Sequence, residues 1–331
     1  MSSLFVKLKI IPGTRVSLSD IDPNDRFHFD MAALPQIQPR IVTPGPSSLT
    51  DCYQEFIVKP GSRVRLSEID PSYRGQYESR EAAVAENQSL LQRLDYLQYL
   101  MYAEKKHSLL LVLQGLDACG KDGVIRNLLR GMNPAGCRVV GFKRPKPEEL
   151  DHDFLWRVHP HLPAKGEVSI FNRSHYEDVL VVRVHEFAQV NTWYKRYDLI
   201  NDFERLLAVE NDTTVLKFFL YISKVEQLVR FKQRLDDPTR RWKISEADYR
   251  ERAHWNKYTE AFQDVLYRTS TQHAPWFIIP SNNKWFRDLA ISQIVTRTLE
   301  NLEMKWPAPA VDIAEMRRRY HAADAEDHAT E

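Results

Sequence analysis

Asp117, Lys121 and Asp122 stand within six positions of one another in the octapeptide Gly115-Leu116-Asp117-Ala118-Cys119-Gly120-Lys121-Asp122. The spacing fits G-x-x-x-x-G-K, and it lies between the apolar run 108–114 and the helix-like Gly123-Val124-Ile125-Arg126-Asn127-Leu128-Leu129. Strand, glycine loop and helix in that order make a phosphate cradle. Loop N–H groups and the helix N-terminus present partial positive charge, and Lys121 adds a mobile full charge. Asp122 stands where Ser or Thr is usual, and Asp117 lies inside the loop. Carboxylates beside a polyanion make sense when divalent cations sit between them. The expectation is a phosphate site with metal, against the alternative of a purely structural glycine turn.

A second group follows the strand-like 168–171, in Asn172-Arg173-Ser174-His175-Tyr176-Glu177-Asp178. An acid at the end of a strand beside the loop strand is the usual second metal-holding element. Glu177 and Asp178 are the candidates, Asp178 preferred, while Arg173 and Arg183 can fork onto phosphate oxygens. A solvated turn with an acid pair at a helix N-terminus is the rival reading. A third group, Arg234-Leu235-Asp236-Asp237-Pro238-Thr239-Arg240-Arg241-Trp242-Lys243, breaks at Pro238 between two helical stretches. It reads as a lid whose cations close on a charged substrate, or else as an ordinary charged turn. Trp242 is placed to pack the closed lid, and Arg230 and Lys232 enlarge its basic area. Arg130, Lys143, Arg144 and Lys146 form a further basic stretch able to guide a polyanion. His159, His161 and His175 have no ligand spacing and read as packing residues. Trp255, Tyr258 and Phe262 fall at helical spacing and read as core.

These groups need a scaffold. Strand-like runs at 138–142, 168–171, 215–222 and 276–279 alternate with helical patterns at 79–107, 148–161, 192–210, 225–235, 246–269 and 284–304. Near-continuous apolar strands separated by helices predict an α/β fold: a three-layer sandwich with a parallel sheet, helices on both faces and a helical lid. Ligands bind such sheets at the C-terminal strand edge, where 115–122 must lie.

The chain has 331 residues, 43% hydrophobic and 11% aromatic, with a net charge of +1. No global field favours nucleic acid or membranes, so neither is expected as a partner. Cys52, Cys119 and Cys137 show no C-x-x-C spacing, which argues for a reducing compartment and against structural zinc. No apolar stretch reaches about 18 residues, and the first residues lack a signal-peptide core. A soluble cytoplasmic protein is expected.

Pro12-Gly13-Thr14-Arg15-Val16-Ser17-Leu18-Ser19-Asp20-Ile21-Asp22-Pro23 recurs as Pro60-Gly61-Ser62-Arg63-Val64-Arg65-Leu66-Ser67-Glu68-Ile69-Asp70-Pro71. Each copy reads as an extended arm ending in a turn, with a proline-rich linker between them. The first copy is either loosely ordered or docks on a neighbouring subunit. The expected domains are an N-terminal extension over 1–54, a phosphate-loop domain over 55–306 with its lid at about 230–255, and a polar, fraying tail over 307–331.

The blocks Gly115–Ile125, 153–159, Ile170–Val184, Arg234–Lys243 and 274–280, in that order, resemble the polyphosphate kinase 2 family over roughly 55–306. Asn172-Arg173-Ser174-His175-Tyr176-Glu177-Asp178 is similar to the class III branch; other branches carry Asp at the place of Asn172 and Asn at that of Glu177. The resemblance implies a phosphate-loop kinase fold and phosphorylation of AMP and ADP from inorganic polyphosphate, with Mg2+ or Mn2+, in a homo-oligomer. Guanine nucleotides stay open as acceptors. By position it implies Asp117 and Asp178 as catalytic, metal-binding carboxylates, and Lys121 and Arg173 as phosphate contacts. Arg234, Arg240 and Lys243 would belong to the lid, and Gly115, Gly120, Asp122, Asn172, Glu177 and Arg183 would line the phosphate site. Cys119 departs from the small Gly or Ala common there. An ATP-dependent kinase on the same fold and a non-catalytic polyanion-binding protein are the competing readings.

Overall fold

A computed structural model describes residues 50–330, with side chains to His328. The first arm copy lies outside the described residues. Six strands form one sheet in the order β1-β6-β5-β2-β4-β3. They are β1 (Ile57–Val58), β2 (Ser108–Gln114), β3 (Cys137–Gly141), β4 (Val168–Asn172), β5 (Thr213–Tyr221) and β6 (Trp276–Pro280). β1 pairs antiparallel to β6, and every other pairing is parallel. The helices are α1 (Cys52–Phe56), α2 (Arg80–Glu104), α3 (Lys121–Leu128), α4 (Pro147–Leu150), α5 (Glu177–Val184) and α6 (Val190–Asn211). α7 (Lys224–Asp236), α8 (Glu246–Ala253), α9 (Trp255–Thr269), α10 (Lys284–Glu300) and α11 (Ile313–Thr330) complete the set.

β2 shows why the sandwich has three layers. All seven of its residues are buried, and successive side chains leave on opposite faces. Leu109, Leu111 and Leu113 join one core with Leu94 and Met101 of α2, Val124 of α3 and Phe286 and Ile291 of α10. Leu110 and Val112 join the other, with Val179 of α5, Ile200 of α6 and Phe262 of α9. Tyr258 and Phe262 are core residues, as their spacing predicts. β2 lies between β4 and β5, so the chain leaves it toward one edge and returns on the other side. That reversal opens a crevice beyond its C-terminal end.

The second arm copy seals this sheet. Leu66 is buried, its N–H donates to Gln263 Oε1 at 2.9 Å, and Tyr221 Oη donates to its carbonyl at 2.9 Å.

Three helical expectations need correction. The span 148–161 holds only α4 and one 3-10 turn, His159–His161. Asp153 accepts from the Leu155 N–H, an Asx turn in place of a helical one, and Pro160 has no N–H to give. The span 246–269 is two helices, because the chain bends at His254 (φ −90°, ψ 17°). The tail contains α11, an exposed helix braced by Glu315 pairing with Arg318 and Arg319. Among the described residues no helix is long and apolar enough to cross a membrane.

Candidate active site

β2 delivers the chain to the glycine loop at the crevice, and α3 carries it away. Five consecutive loop carbonyls are taken by side-chain donors. Lys121 Nζ donates to Gly115 O at 2.6 Å and Leu116 O at 3.4 Å. Gln227 Nε2 donates to Asp117 O at 2.9 Å, and Arg230 Nη1 to Ala118 O and Cys119 O at 2.8 and 2.9 Å. A peptide's N–H points away from its carbonyl, so anchoring the oxygens turns the amides of this stretch to the opposite side, the arrangement that binds anions. Cys119 is the exception, since its N–H closes a turn on Leu116 O. The loop holds Ala118 at φ 63°, a left-handed conformation costing about 1–3 kcal/mol that only a well-braced site retains. Arg230 is only 5% exposed. It is a clamp on the loop, not part of an exposed basic area, because its guanidinium also bonds Ser281 O and Asn282 O.

Gly120 is required twice over. Its φ is 108°, and a Cβ there would run into the buried Arg287 guanidinium. Gly120→Ala is expected to cost about 1–3 kcal/mol of stability and most of the activity. Thermal unfolding together with turnover checks this.

The motif after β4 faces the loop. Arg173, with a left-handed φ of 63°, donates its backbone N–H to Leu113 O, which places it across from β2. Its side chain joins Asp117 (2.7 Å) to Glu177 (3.2 Å), and Gln114 Nε2 donates to Glu177 at 3.0 Å. Glu177 above all, with Asp117, outweighs burial and holds the Arg173 guanidinium firmly charged. Asn172 and Lys243 both donate to Asp122, at 3.0 and 2.9 Å. Lys243, with Asn172, keeps that carboxyl below the ordinary carboxylate range although burial opposes it. The lid thus reaches the first turn of α3.

Asp178 is held differently. Arg196 Nη1 lies 3.2 Å from Oδ1 and Arg157 Nη2 3.9 Å from Oδ2. Burial pushes this carboxyl up despite the two guanidinium groups. Asp117 and Asp178 are held by different groups, Arg173 for the first and Arg196 with Arg157 for the second; the acid joined to Asp117 through Arg173 is Glu177, the neighbour of Asp178. In the lid, Arg234 bonds Asp248 (3.0 Å) and Lys243 O (3.3 Å), whereas Arg240 pairs locally with Asp237 and is half exposed. Trp242 is 78% exposed, with Lys243 Nζ 5.0 Å from its ring centre. Arg183 pairs with Asp264 at 2.6 Å and lies over Trp193, apart from the loop group. His159 packs on Phe203 and His161 on Phe142, and His175 is fully buried, so these histidines are packing residues.

Sequence reasoning missed Gln114, Arg196, Gln227 and Arg287, and gave Arg157 no role. Arg157 stood in the block 153–159, which was a signal. Arg196 sits on the helix that follows Asp178 and Gln227 on one remote in sequence from the loop, and no spacing marks either.

The donor set suits magnesium, which takes one or two carboxylates and completes its shell with water and substrate phosphates. Asp117 is partly exposed beside the loop amides and meets that need. Among the described residues no cluster of three or more His, Cys, Asp or Glu is placed to hold an ion by protein ligands alone.

The family model described as polyphosphate kinase 2 matches residues 77–307. The chain belongs to that family. The AMP/ADP-polyphosphate phosphotransferase of Meiothermus ruber is 50% identical over 230 residues, covering 70% of this chain and 86% of its own. The ADP-polyphosphate phosphotransferase of Rhodopseudomonas palustris is 43% identical over 243 residues, with 70% and 84% covered. The crystal structure of polyphosphate kinase 2 from Arthrobacter aurescens superposes with a TM-score of 0.77 at 39% identity, covering 80% of this chain and 95% of that one. Polyphosphate kinase 2 membership covers the glycine loop, the β4 motif and the lid, which all fall within the matched residues.

Proposed function

We infer that this chain transfers a phosphoryl group from inorganic polyphosphate to AMP and ADP, yielding ADP and ATP. The observation that carries this reading is a carbonyl-anchored glycine loop bearing Asp117 and faced by Arg173 and Glu177, in a member of a family whose relatives are named for this transfer. Phosphoryl transfer asks for positioning and charge neutralisation more than for covalent help. The loop amides and Lys121 bind the terminal phosphates of the donor. Arg173, fixed between two carboxylates, meets the transferring group from the β4 side, and the lid cations Arg234 and Lys243 exclude water as they close. The acceptor is a phosphate oxygen already ionised at neutral pH, so no strong base is needed. Glu177 is then free to influence which nucleotide is accepted.

Asp117 and Asp178 are the proposed holders of Mg2+ or Mn2+, with Asp117 the better exposed of the two. When bound, the ions neutralise charge on donor and acceptor oxygens. The reading extends to a homo-oligomer, on the strength of the family resemblance, and to the cytoplasm, on the strength of three cysteines without C-x-x-C spacing; guanine nucleotides stay open as further acceptors, and neither nucleic acid nor membrane is expected as a partner.

The test supplies AMP or ADP with either ATP or long-chain polyphosphate, plus magnesium, and follows all adenine nucleotides. Polyphosphate-dependent appearance of ADP and ATP is expected. Transfer from ATP alone would make the chain an ATP-dependent kinase, and no turnover with any donor would leave a polyanion-binding protein.

A further inference from the structure

The lid is tied to the glycine loop by a side chain that none of the chemistry above uses. Gln227, on α7, is only 2% exposed. Its Nε2 donates to the carbonyl of Asp117, and its Oε1 accepts from Arg252 Nη1 at 3.0 Å. These partners fix the amide's orientation: a carbonyl needs a donor and a guanidinium needs an acceptor. Arg252 belongs to α8, on the far side of the lid turn, and also donates to Lys224 O at the start of α7 at 2.6 Å. It therefore fastens the end of α8 to the start of α7, closing the base of the α7–turn–α8 hairpin. At the hairpin's other end, Arg234 bonds Lys243 O and Asp248. The hairpin is braced at both ends, and its base is joined to the backbone of the residue whose carboxylate faces Arg173.

We propose that Gln227 is a positioning residue that links lid closure to the loop, through the chain Arg252 Nη1, Gln227 Oε1 and Nε2, and Asp117 O. Movement of α8 pulls Arg252, rotates the Gln227 amide and changes the tilt of the Asp117 peptide. That tilt sets both the aim of the following N–H, on Ala118, and the position of the Asp117 side chain. Arg230 holds the next two carbonyls rigidly from the same helix, so the freedom is confined to the Asp117 peptide. The loop then adopts its phosphate-binding form only with the hairpin base fastened, and a polyphosphate on the loop in turn favours the closed lid, since such coupling is reciprocal. This rests on the transfer activity proposed above, but part of its test does not.

The experiment uses the full chain with Gln227→Leu, Arg252→Ala and the double variant. Gln227→Leu keeps the volume and removes both hydrogen bonds; Arg252→Ala acts at a partly buried site outside the two cores. Gln227→Leu is expected to lower kcat/KM for polyphosphate about tenfold, and Arg252→Ala about threefold. The double variant should be no worse than Gln227→Leu, because links in series are not additive. Hydrogen exchange without any substrate gives the second readout: Arg252→Ala should speed exchange of the 115–120 amides although it touches none of them. A double variant reduced by the product of the single effects, or loop exchange unchanged in Arg252→Ala, overturns the relay. Loss of function in the wild type with polyphosphate would instead overturn the activity, and the exchange result would still decide the relay. Should Gln227→Leu fail to fold, Arg252→Ala carries both readouts.

Discussion

Replacing Asp117 with asparagine is expected to lower kcat about a thousandfold while the protein stays folded. The structure gives a reason for both halves. Asp117 is partly exposed at the crevice, so its carboxylate is not a core group, and Arg173 keeps its second partner, Glu177, when the first is neutralised. The backbone of residue 117 is anchored by Gln227 whatever its side chain, so the loop should keep its shape. What is lost, on the function proposed above, is a full negative charge at the proposed cation site, and the effect therefore belongs in kcat more than in binding. Turnover measured at saturating polyphosphate and nucleotide, over a magnesium titration, checks this. Near-normal turnover would mean that Asp117 serves only to hold Arg173.

Much of this site was legible because its elements are local in sequence. Gly115, Gly120 and Lys121 sit on one loop, and Arg173 and Glu177 on one turn, with the type and spacing of each residue set by its task. The parallel sheet was legible too, since strands buried on both faces must be apolar without interruption, as β2 is. Two kinds of information were not. The anchors of the loop carbonyls, Gln227, Arg230 and Arg287, lie on α7 and α10, more than a hundred residues away. Their polar side chains look like surface residues until tertiary packing buries them. How neighbouring acids divide their partners also escaped: Asp178 and Glu177 differ by one position, about 100° around a helix. That rotation sends one toward Arg157 and Arg196 and the other toward Arg173. The 148–161 span failed for a simpler reason, since its apolar residues recur at helical spacing while Asp153 and Pro160 break the ladder.

A second large effect is expected far from the crevice. Lys217 on β5 and Glu204 on α6 are fully buried and lie 2.5 Å apart. Lys217 also donates to Tyr176 Oη and Thr269 O, and Glu204 receives Tyr176 Oη and faces His175 Nε2 at 3.3 Å. His175 and Tyr176 stand between Arg173 and Glu177, so this network pins the segment that holds Arg173 in its left-handed conformation. Lys217→Met is expected to cost about 3–5 kcal/mol, because it leaves a carboxylate buried without its cation. Adding Glu204→Gln should recover much of that loss, as two neutral groups need no compensation. The pH dependence separates the cases. Burial pushes the Glu204 carboxyl up, but the Lys217 ammonium and the His175 ring outweigh it and hold it below the ordinary carboxylate range. A lowered carboxylate stabilises the fold above its unfolded pKa of about 4.3, and that share is lost as pH falls through the folded value. In Lys217→Met burial prevails, the carboxyl rises above 4.3, and its contribution should instead decline as pH climbs past that point. Denaturant unfolding of both proteins at several pH values between 3 and 7 should therefore give slopes of opposite sign for this contribution. Parallel slopes would mean that Glu204 does not rely on Lys217 for its charge, and that the β4 motif is pinned by packing alone.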